Sequence, residues 1–520
     1  MGPADAGLSF CLSGACMNHQ PCGKLKEMLN SIQESPLYPI ANPKSITFFG
    51  ASNRITSMGT NLLASIQALG FEGAIYPVHP RERQVRNLKA YRSVLDLPEV
   101  ADLAVLVLPT HIVSRTMEEC GQKGIKHAII VSGGFKEVGG EGVDLEQHLK
   151  EIAEKYSIRF MGPNCIGVAN PHHKLNTTFL PHEGAPGYIG MVSQSGSLVT
   201  QMFNYLSRYG LGFSTAFSVG NEANIDTVDC LEYLGACPYT RVIALYVEAI
   251  RRGRAFVDKA RSIVPHKPIV ALYVGGSETG KRASFSHTGA MAGPDLLYEG
   301  MFRQSGIIRA QSVTELFDFC WALGGLPPPK GRKVVIQTHS GGPGAVAADA
   351  CGRAGLELPP LSAETLEKLD ALLPHTSSRN NPVDLTFIKD PLQYFTDIPR
   401  VLMEDSNVDI LLVYFLTVAK VIRRALEQMG IPEDQIPEQS SKLMDEQCES
   451  VVRLINNSDK LFVGYTYRSL EDPFIQGLLQ RGVAVFPEPN RAAGALQALL
   501  RYSDLRKKQV SGTVEVKQEI

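Results

Sequence analysis

Residues 284–293 read Ser284-Phe285-Ser286-His287-Thr288-Gly289-Ala290-Met291-Ala292-Gly293. One imidazole stands among hydroxyls and glycines, with no second ligand at metal spacing, so the segment does not form a metal site, which needs three or four ligands. Neutral imidazole is a good nucleophile near pH 7, and a loop of small residues lets a bulky reactant approach it. A carboxylate near such a histidine orients the ring and stabilises its positive charge. Glu248, directly after the apolar run Val242–Val247, is the candidate for that role.

Two further segments suit a transferred anion. Ser193-Gln194-Ser195-Gly196 and Gly341-Gly342-Pro343-Gly344 each follow a strand-like run and open a helix-like one. A helix start favours an anion by about 0.3–1 kcal/mol, and by up to about 2 kcal/mol when partly buried. Two starts meeting at one point would hold a phosphoryl group against water.

A third such turn is Gly50-Ala51-Ser52-Asn53-Arg54, with Gly59 completing it. It reads either as a plain strand-to-helix turn or as an anion cradle. It is neither Gly-x-Gly-x-x-Gly nor a P-loop, which disfavours a nicotinamide-dependent dehydrogenase. Arg81, Arg83, Arg86, Lys89 and Arg92 crowd the next loop of a chain whose net charge is only −2. Beside the Gly50 turn, these cations suit a polyanionic, nucleotide-like ligand. The loops at Ser132-Gly133 and Asn164 could line the same crevice.

The elements that must position these residues are short apolar runs alternating with helix-length segments. Ser45–Gly50, Gly73–Val78, Leu103–Leu108, His127–Val131 and Arg159–Gly162 form one set. Gly187–Ser193, Val242–Val247 and Pro268–Val274 form a second, and Lys333–Thr338, Val408–Phe415, Leu461–Tyr465 and Ala484–Pro487 a third. Fully apolar short strands alternating with helices imply parallel sheets covered on both faces. The fold class is α/β, three consecutive doubly wound domains over 38–178, 186–326 and 331–503. An N-terminal extension, 1–37, with one short helix near Lys24–Gln33, and a charged, frayed tail, 504–520, flank them.

The near-neutral charge does not advertise a nucleic-acid partner, and no run of 18 apolar residues suggests a membrane span. Ten cysteines without a Cys-x-x-Cys fit reduced thiols and a cytoplasmic protein. Cys11, Cys16, His19 and Cys22 cluster, but their spacing is irregular, and no metal site is assigned.

Read together, these segments resemble the nucleoside-diphosphate-forming acyl-CoA synthetases, relatives of succinyl-CoA synthetase. Further stretches carry the likeness: Val131–Glu137, Gly162-Pro163-Asn164-Cys165, Gly220-Asn221-Glu222-Ala223 and Asn381-Pro382-Val383-Asp384-Leu385. The resemblance implies a Rossmann-like domain binding coenzyme A, followed by two flavodoxin-like ligase domains. Gly50, Ala51, Ser52, Asn53, Arg54 and Arg81 would hold the CoA phosphates, and Ser132, Gly133 and Asn164 would flank its thiol. His287 would be the phosphorylated histidine and Glu248 its supporting acid. Ser193, Gln194, Ser195 and Gly196, with Gly341, Gly342, Pro343 and Gly344, would hold the phosphoryl group. The implied reaction interconverts acyl-CoA, phosphate and ADP with carboxylic acid, CoA and ATP, through acyl phosphate and phosphohistidine. Two departures stand out. Tyr273 takes the place of a common lysine, and nothing resembles the family's ATP-grasp module. The chain is therefore expected to be an α subunit in a hetero-oligomer with an ATP-grasp β subunit that carries ATP/ADP and Mg. The alternative is a non-catalytic CoA- or acyl-CoA-binding regulator that kept the fold.

Overall fold

Each central apolar run becomes a buried parallel strand. The computed structural model describes residues 32–181, 185–282, 293–386, 388, 391–416 and 419–510. The first sheet contains β1 (Ser45–Phe49), β2 (Ala74–Val78), β5 (Leu103–Leu106), β6 (His127–Ile130) and β7 (Arg159–Met161). A small antiparallel pair, β3 (Gln84–Val85) and β4 (Leu88–Lys89), folds the cationic loop back on itself. Strand order is β2-β1-β5-β6-β7, all parallel, and every residue of β1 and β5 is buried.

The second sheet is built from β8 (Gly167–Asn170), β9 (Leu175–Asn176), β10 (Ile189–Ser193), β11 (Phe213–Ser218), β12 (Val242–Val247), β13 (Ile269–Tyr273) and β14 (Ile308–Ala310), in the order β14-β13-β12-β10-β11-β8-β9. The third has β15 (Val334–Thr338), β16 (Val383–Asp384), β17 (Ile410–Tyr414), β18 (Leu461–Tyr465) and β19 (Val485–Phe486), in the order β16-β15-β17-β18-β19. These are the three doubly wound α/β units expected.

Two features differ from the sequence reading. Residues 167–176, counted there with the first unit, belong to the second sheet: β8 pairs antiparallel with β11. A buried β11 edge would leave backbone groups without partners, and β8 covers it. Gly167-Val168-Ala169-Asn170 has no apolar run to announce this. Asn170 also donates from Nδ2 to Ala41 O at 2.9 Å, stitching this edge to the segment before β1. The second difference lies at the C-terminal side. The last helix, Pro489–Val510, runs past residue 503. Tyr502 is buried with its hydroxyl donating to Val264 O (2.8 Å), and Arg332 pairs with Asp504 (2.5 Å). The short helix expected near Lys24–Gln33 and the Cys11–Cys22 cluster lie outside the described residues, except for the buried Ile32 and its neighbour Gln33. Among the described residues no helix is long and apolar enough to cross a membrane.

Helix Val313–Gly325 of the second unit packs on helix Pro489–Val510 of the third. Arg491 sits in this seam. Its Nε and Nη2 each donate to the buried Asp318 carboxylate at 2.7 Å, and Nη2 also donates to Tyr209 Oη at 3.0 Å. Removing the cation would strand a buried carboxylate, which costs about 3–5 kcal/mol. Arg491→Ala is therefore expected to lower the urea midpoint by a corresponding amount, read by circular dichroism; an unchanged midpoint would show that the seam does not depend on this pair.

Candidate active site

In each sheet the order of strand addition reverses at one strand. From β1 the chain goes to β2 on one side and later to β5 on the other. β10 stands likewise between β11 and β12, and β15 between β16 and β17. Ligands of open α/β sheets bind at the carboxyl ends of such switch strands. The three turns chosen from sequence follow β1, β10 and β15, so all three occupy switch points.

At the first, Gly50 has φ +91°, and a Cβ there would lie 1.8 Å from Val107 O. A Cβ on Gly59 would lie 2.3 Å from Gly50 O. Only glycines permit this turn against the start of helix Met58–Ala68, which Ser57 caps by accepting from Thr60 N. Ser52 Oγ accepts from Arg54 N (3.2 Å), and Thr60 Oγ1 accepts from Ser52 N (3.1 Å), which closes the turn internally. Asn53 is spent on the neighbouring loop. Its amide donates to Glu82 (2.5 Å) and Gln84 O (2.9 Å) and accepts from Arg86 N (3.0 Å). Asn53 thus locks the cationic loop against the Gly50 turn, with Glu82 as a partner that the sequence did not flag. Arg86 bonds Gln67 (2.8 Å) and Lys89 lies over the Tyr91 ring, while Arg81, Arg83 and Arg92 are exposed.

The Ser132–Glu137 loop follows β6, at the same edge of the parallel sheet as the Gly50 turn after β1. Ser132 Oγ accepts from Leu108 N (3.0 Å), and Ser132 O accepts from Asn164 N (2.9 Å). Glu137 accepts from Gly134 N at 2.6 Å. Asn164, at φ +58°, donates to Asn221 Oδ1 at 3.3 Å, and Asn221 donates to Glu137 (2.5 Å) and Glu146 (3.0 Å). Asn221 belongs to the loop after β11, so the second unit completes the first unit's crevice.

The other two switch points share one device. Ser193 Oγ donates to Ser195 O (2.7 Å) and accepts from Ser195 N (3.1 Å). Thr338 Oγ1 does the same with Ser340 O (2.8 Å) and Ser340 N (3.3 Å). Each hydroxyl brackets the turn, and the following serine is the N-cap of helix Gly196–Ser207 or Gly341–Arg353. Neither serine side chain caps its helix. Ser57, Ser312 and Ser362 all do cap theirs. Among the described residues no side chain caps the first-turn N–H groups at Gly196 and Gly341. Pro343 has no N–H, so in the third unit Gly341 and Gly342 supply the donors. Thr338 and Ser340 were outside the sequence-based selection; their placement after a buried strand and before glycines is the signal that finds them.

Glu248 is buried directly after β12. The Gln194 side chain ties itself to this turn: its Oε1 accepts from Glu248 N (2.5 Å) and Ala249 N (3.0 Å). Burial, then the Glu248 charge, pushes the neighbouring Tyr246 hydroxyl up to about 12. His287 lies outside the described residues. The exit of its loop is anchored by Tyr273, whose hydroxyl donates to Gly293 O (2.8 Å) and whose ring stacks on Tyr298 at 3.7 Å. Burial pushes the Tyr273 hydroxyl up to about 12, so a neutral group occupies the place of the family's lysine. In the third unit His339 stacks on Tyr394 at 3.6 Å, and burial drops its pKa to about 4, so the ring is neutral.

Residues 44–171 match the family described as a CoA binding domain, and residues 186–323 match the succinyl-CoA ligase-like flavodoxin domain. The alpha subunit of acetate–CoA ligase (ADP-forming) I from Pyrococcus furiosus is 37% identical over 482 residues, covering 91% of this chain and 99% of that one. This chain belongs to the ADP-forming acyl-CoA ligases. The acetate–CoA ligase (ADP-forming) I of Archaeoglobus fulgidus is 37% identical, with 90% of this chain matched to 64% of its length. The solved dinucleotide-forming acetyl-coenzyme A synthetase 1 of Ca. Korarchaeum cryptofilum, in complex with phosphate and ADP, superposes with a TM-score of 0.80. It is 31% identical over 92% of this chain and 99% of that one.

For this ligase the first crevice makes a direct prediction. Arg81→Ala should weaken CoA at least fivefold at low salt and less at high salt, since an exposed cation acts through screened attraction. Gly50→Val should abolish binding, because its Cβ would overlap Val107 O. Calorimetry checks both; unchanged CoA affinity in the two variants would remove the ligand from this turn.

Proposed function

We propose that this ligase is the α subunit of a hetero-oligomeric acyl-CoA synthetase that conserves thioester energy by phosphorylating His287. The three units divide the work. The first binds CoA, with its phosphates at Gly50–Arg54 and Arg81 and its thiol beside Ser132, Gly133 and Asn164. Phosphate displaces CoA from a small acyl-CoA to give acyl phosphate. The phosphoryl group then passes to His287, releasing the carboxylate. A separate ATP-grasp β subunit, holding ADP and Mg, accepts it to form ATP. That a relative named as an alpha subunit is matched over 99% of its length, while a longer ADP-forming ligase is matched over only 64%, supports this division. A reduced-thiol composition supports a cytoplasmic setting; the seven described cysteines are free and buried.

The reading is carried by the paired hydroxyl brackets that leave the Gly196 and Gly341 helix starts uncapped. Free N–H groups at two helix starts stabilise phosphoryl charge as it develops, without reorganisation. Glu248 orients the imidazole and balances its positive charge during transfer.

The experiment is labelling of the full chain with acetyl-CoA and radiolabelled phosphate, analysed under alkaline conditions that preserve phosphohistidine. Label is expected on His287 and absent in His287→Asn, with CoA binding retained. Glu248→Gln is expected to slow labelling about a hundredfold. Label that persists in His287→Asn, or maps elsewhere, would overturn the assignment.

A further inference from the structure

Gln194 has two acceptor sites and two donors, and the fold uses all four. Its Oε1 takes the N–H groups of Glu248 and Ala249, at 2.5 and 3.0 Å. Its Nε2 donates to Ala249 O at 2.7 Å and to Glu222 Oε2 at 2.9 Å. The amide thus clamps the turn that leaves β12 and presents Glu248. A flipped amide would set its NH2 group against two backbone donors, so something must hold the productive orientation.

We propose that Glu222 is a positioning residue for phosphoryl transfer, fixing the Gln194 amide and through it the Glu248 carboxylate; this rests on the role proposed above for Glu248. Glu222 is itself fully held. Its Oε1 accepts from Thr227 N (2.8 Å) and Thr227 Oγ1 (2.5 Å), which leaves Oε2 for Gln194. Its backbone is left-handed at φ +53°, a conformation that a non-glycine residue keeps only when its surroundings over-determine it. Here Arg251 does so, donating to Asn221 O at 2.6 Å and Glu222 O at 3.0 Å. The same loop carries Asn221, which ties the Asn164 and Glu137 loops of the CoA crevice. One dipeptide therefore sets the thiol side of the site with one side chain and the phosphoryl side with the other.

The polarity of this chain of hydrogen bonds gives a decisive swap. Glu222→Gln places an NH2 group against the Gln194 NH2 and forces one of them to turn. Gln194→Glu combined with Glu222→Gln restores donor to acceptor between the two side chains: Gln at 222 donates and Glu at 194 accepts from Glu248 N and Ala249 N, while Ala249 O exchanges its donor for a carboxylate oxygen. Each full-length variant is labelled with acetyl-CoA and radiolabelled phosphate, with Glu248→Gln as reference and thermal melting as a control. The Glu222→Gln chain is expected to label about ten- to a hundredfold more slowly, as for a catalytic group displaced by roughly an ångström. The half-saturating acetyl-CoA concentration should not change, and the double variant should recover most of the rate. A wild-type rate in Glu222→Gln while Glu248→Gln is slow would overturn the relay alone. A wild-type rate in Glu248→Gln would instead overturn the reading of Glu248 on which the relay stands.

Discussion

A helix start whose N–H groups are left without a cap carries a cost of about 1 kcal/mol, which a serine side chain normally removes. This ligase has the serines in place, at 195 and 340, and does not use them as caps. Instead the last hydroxyl of the preceding strand, Ser193 or Thr338, bonds both the N–H and the carbonyl of that serine and holds the turn open. The arrangement demands a buried switch strand, a hydroxyl at its end and glycine immediately after the cap. Most of the architecture around the two turns serves that demand. The strands β10 and β15 are buried along their whole length, and the helices they feed lie over a shared apolar core.

The second constraint is that the proposed CoA and phosphoryl sites must be held in fixed relation although they belong to different sheets. The loop after β11 does this with backbone as well as side chains. Asn221 N donates to Pro163 O at 2.9 Å and Ala223 N to Gly162 O at 3.1 Å. Gly220 sits so close to Pro163 that a Cβ would lie 2.3 Å from its carbonyl oxygen. Such contacts leave the first unit little freedom to slide on the second. The third unit is joined differently, through the Arg491–Asp318 pair and the long final helix, so its helix start is registered by packing rather than by loop exchange.

Much of this could be read from residue types. Apolar runs bounded by glycine gave the parallel strands, because a strand covered on both faces needs apolar side chains at every position. The three anion-suited turns were visible because glycine and hydroxyls after such a run have few other uses. What could not be read depended on partners far away in sequence. Where the side-chain amides of Asn53 and Gln194 go is set by Glu82 and Gln84 for the first and by the Glu248 turn for the second. The edge strand β8 was hidden because an antiparallel edge needs only backbone pairing, which Gly167-Val168-Ala169-Asn170 supplies without a pattern. Glu222 stands in a stretch that carries the family likeness, but its place beside Gln194 was not readable, since a buried carboxylate in a left-handed turn is defined by its donors alone.

The central claim is that the two uncapped helix starts act as one phosphoryl site. Placing a carboxylate at both caps, Ser195→Asp with Ser340→Asp, would satisfy the free N–H groups and repel an anion while leaving His287 and the CoA crevice untouched. The decisive measurement is the stoichiometry of phosphate carried by this variant after incubation with acetyl-CoA and phosphate, alongside the unaltered chain. The account predicts phosphate on the unaltered chain and close to none on the variant, with both still binding CoA. Equal loading of the two chains would contradict it.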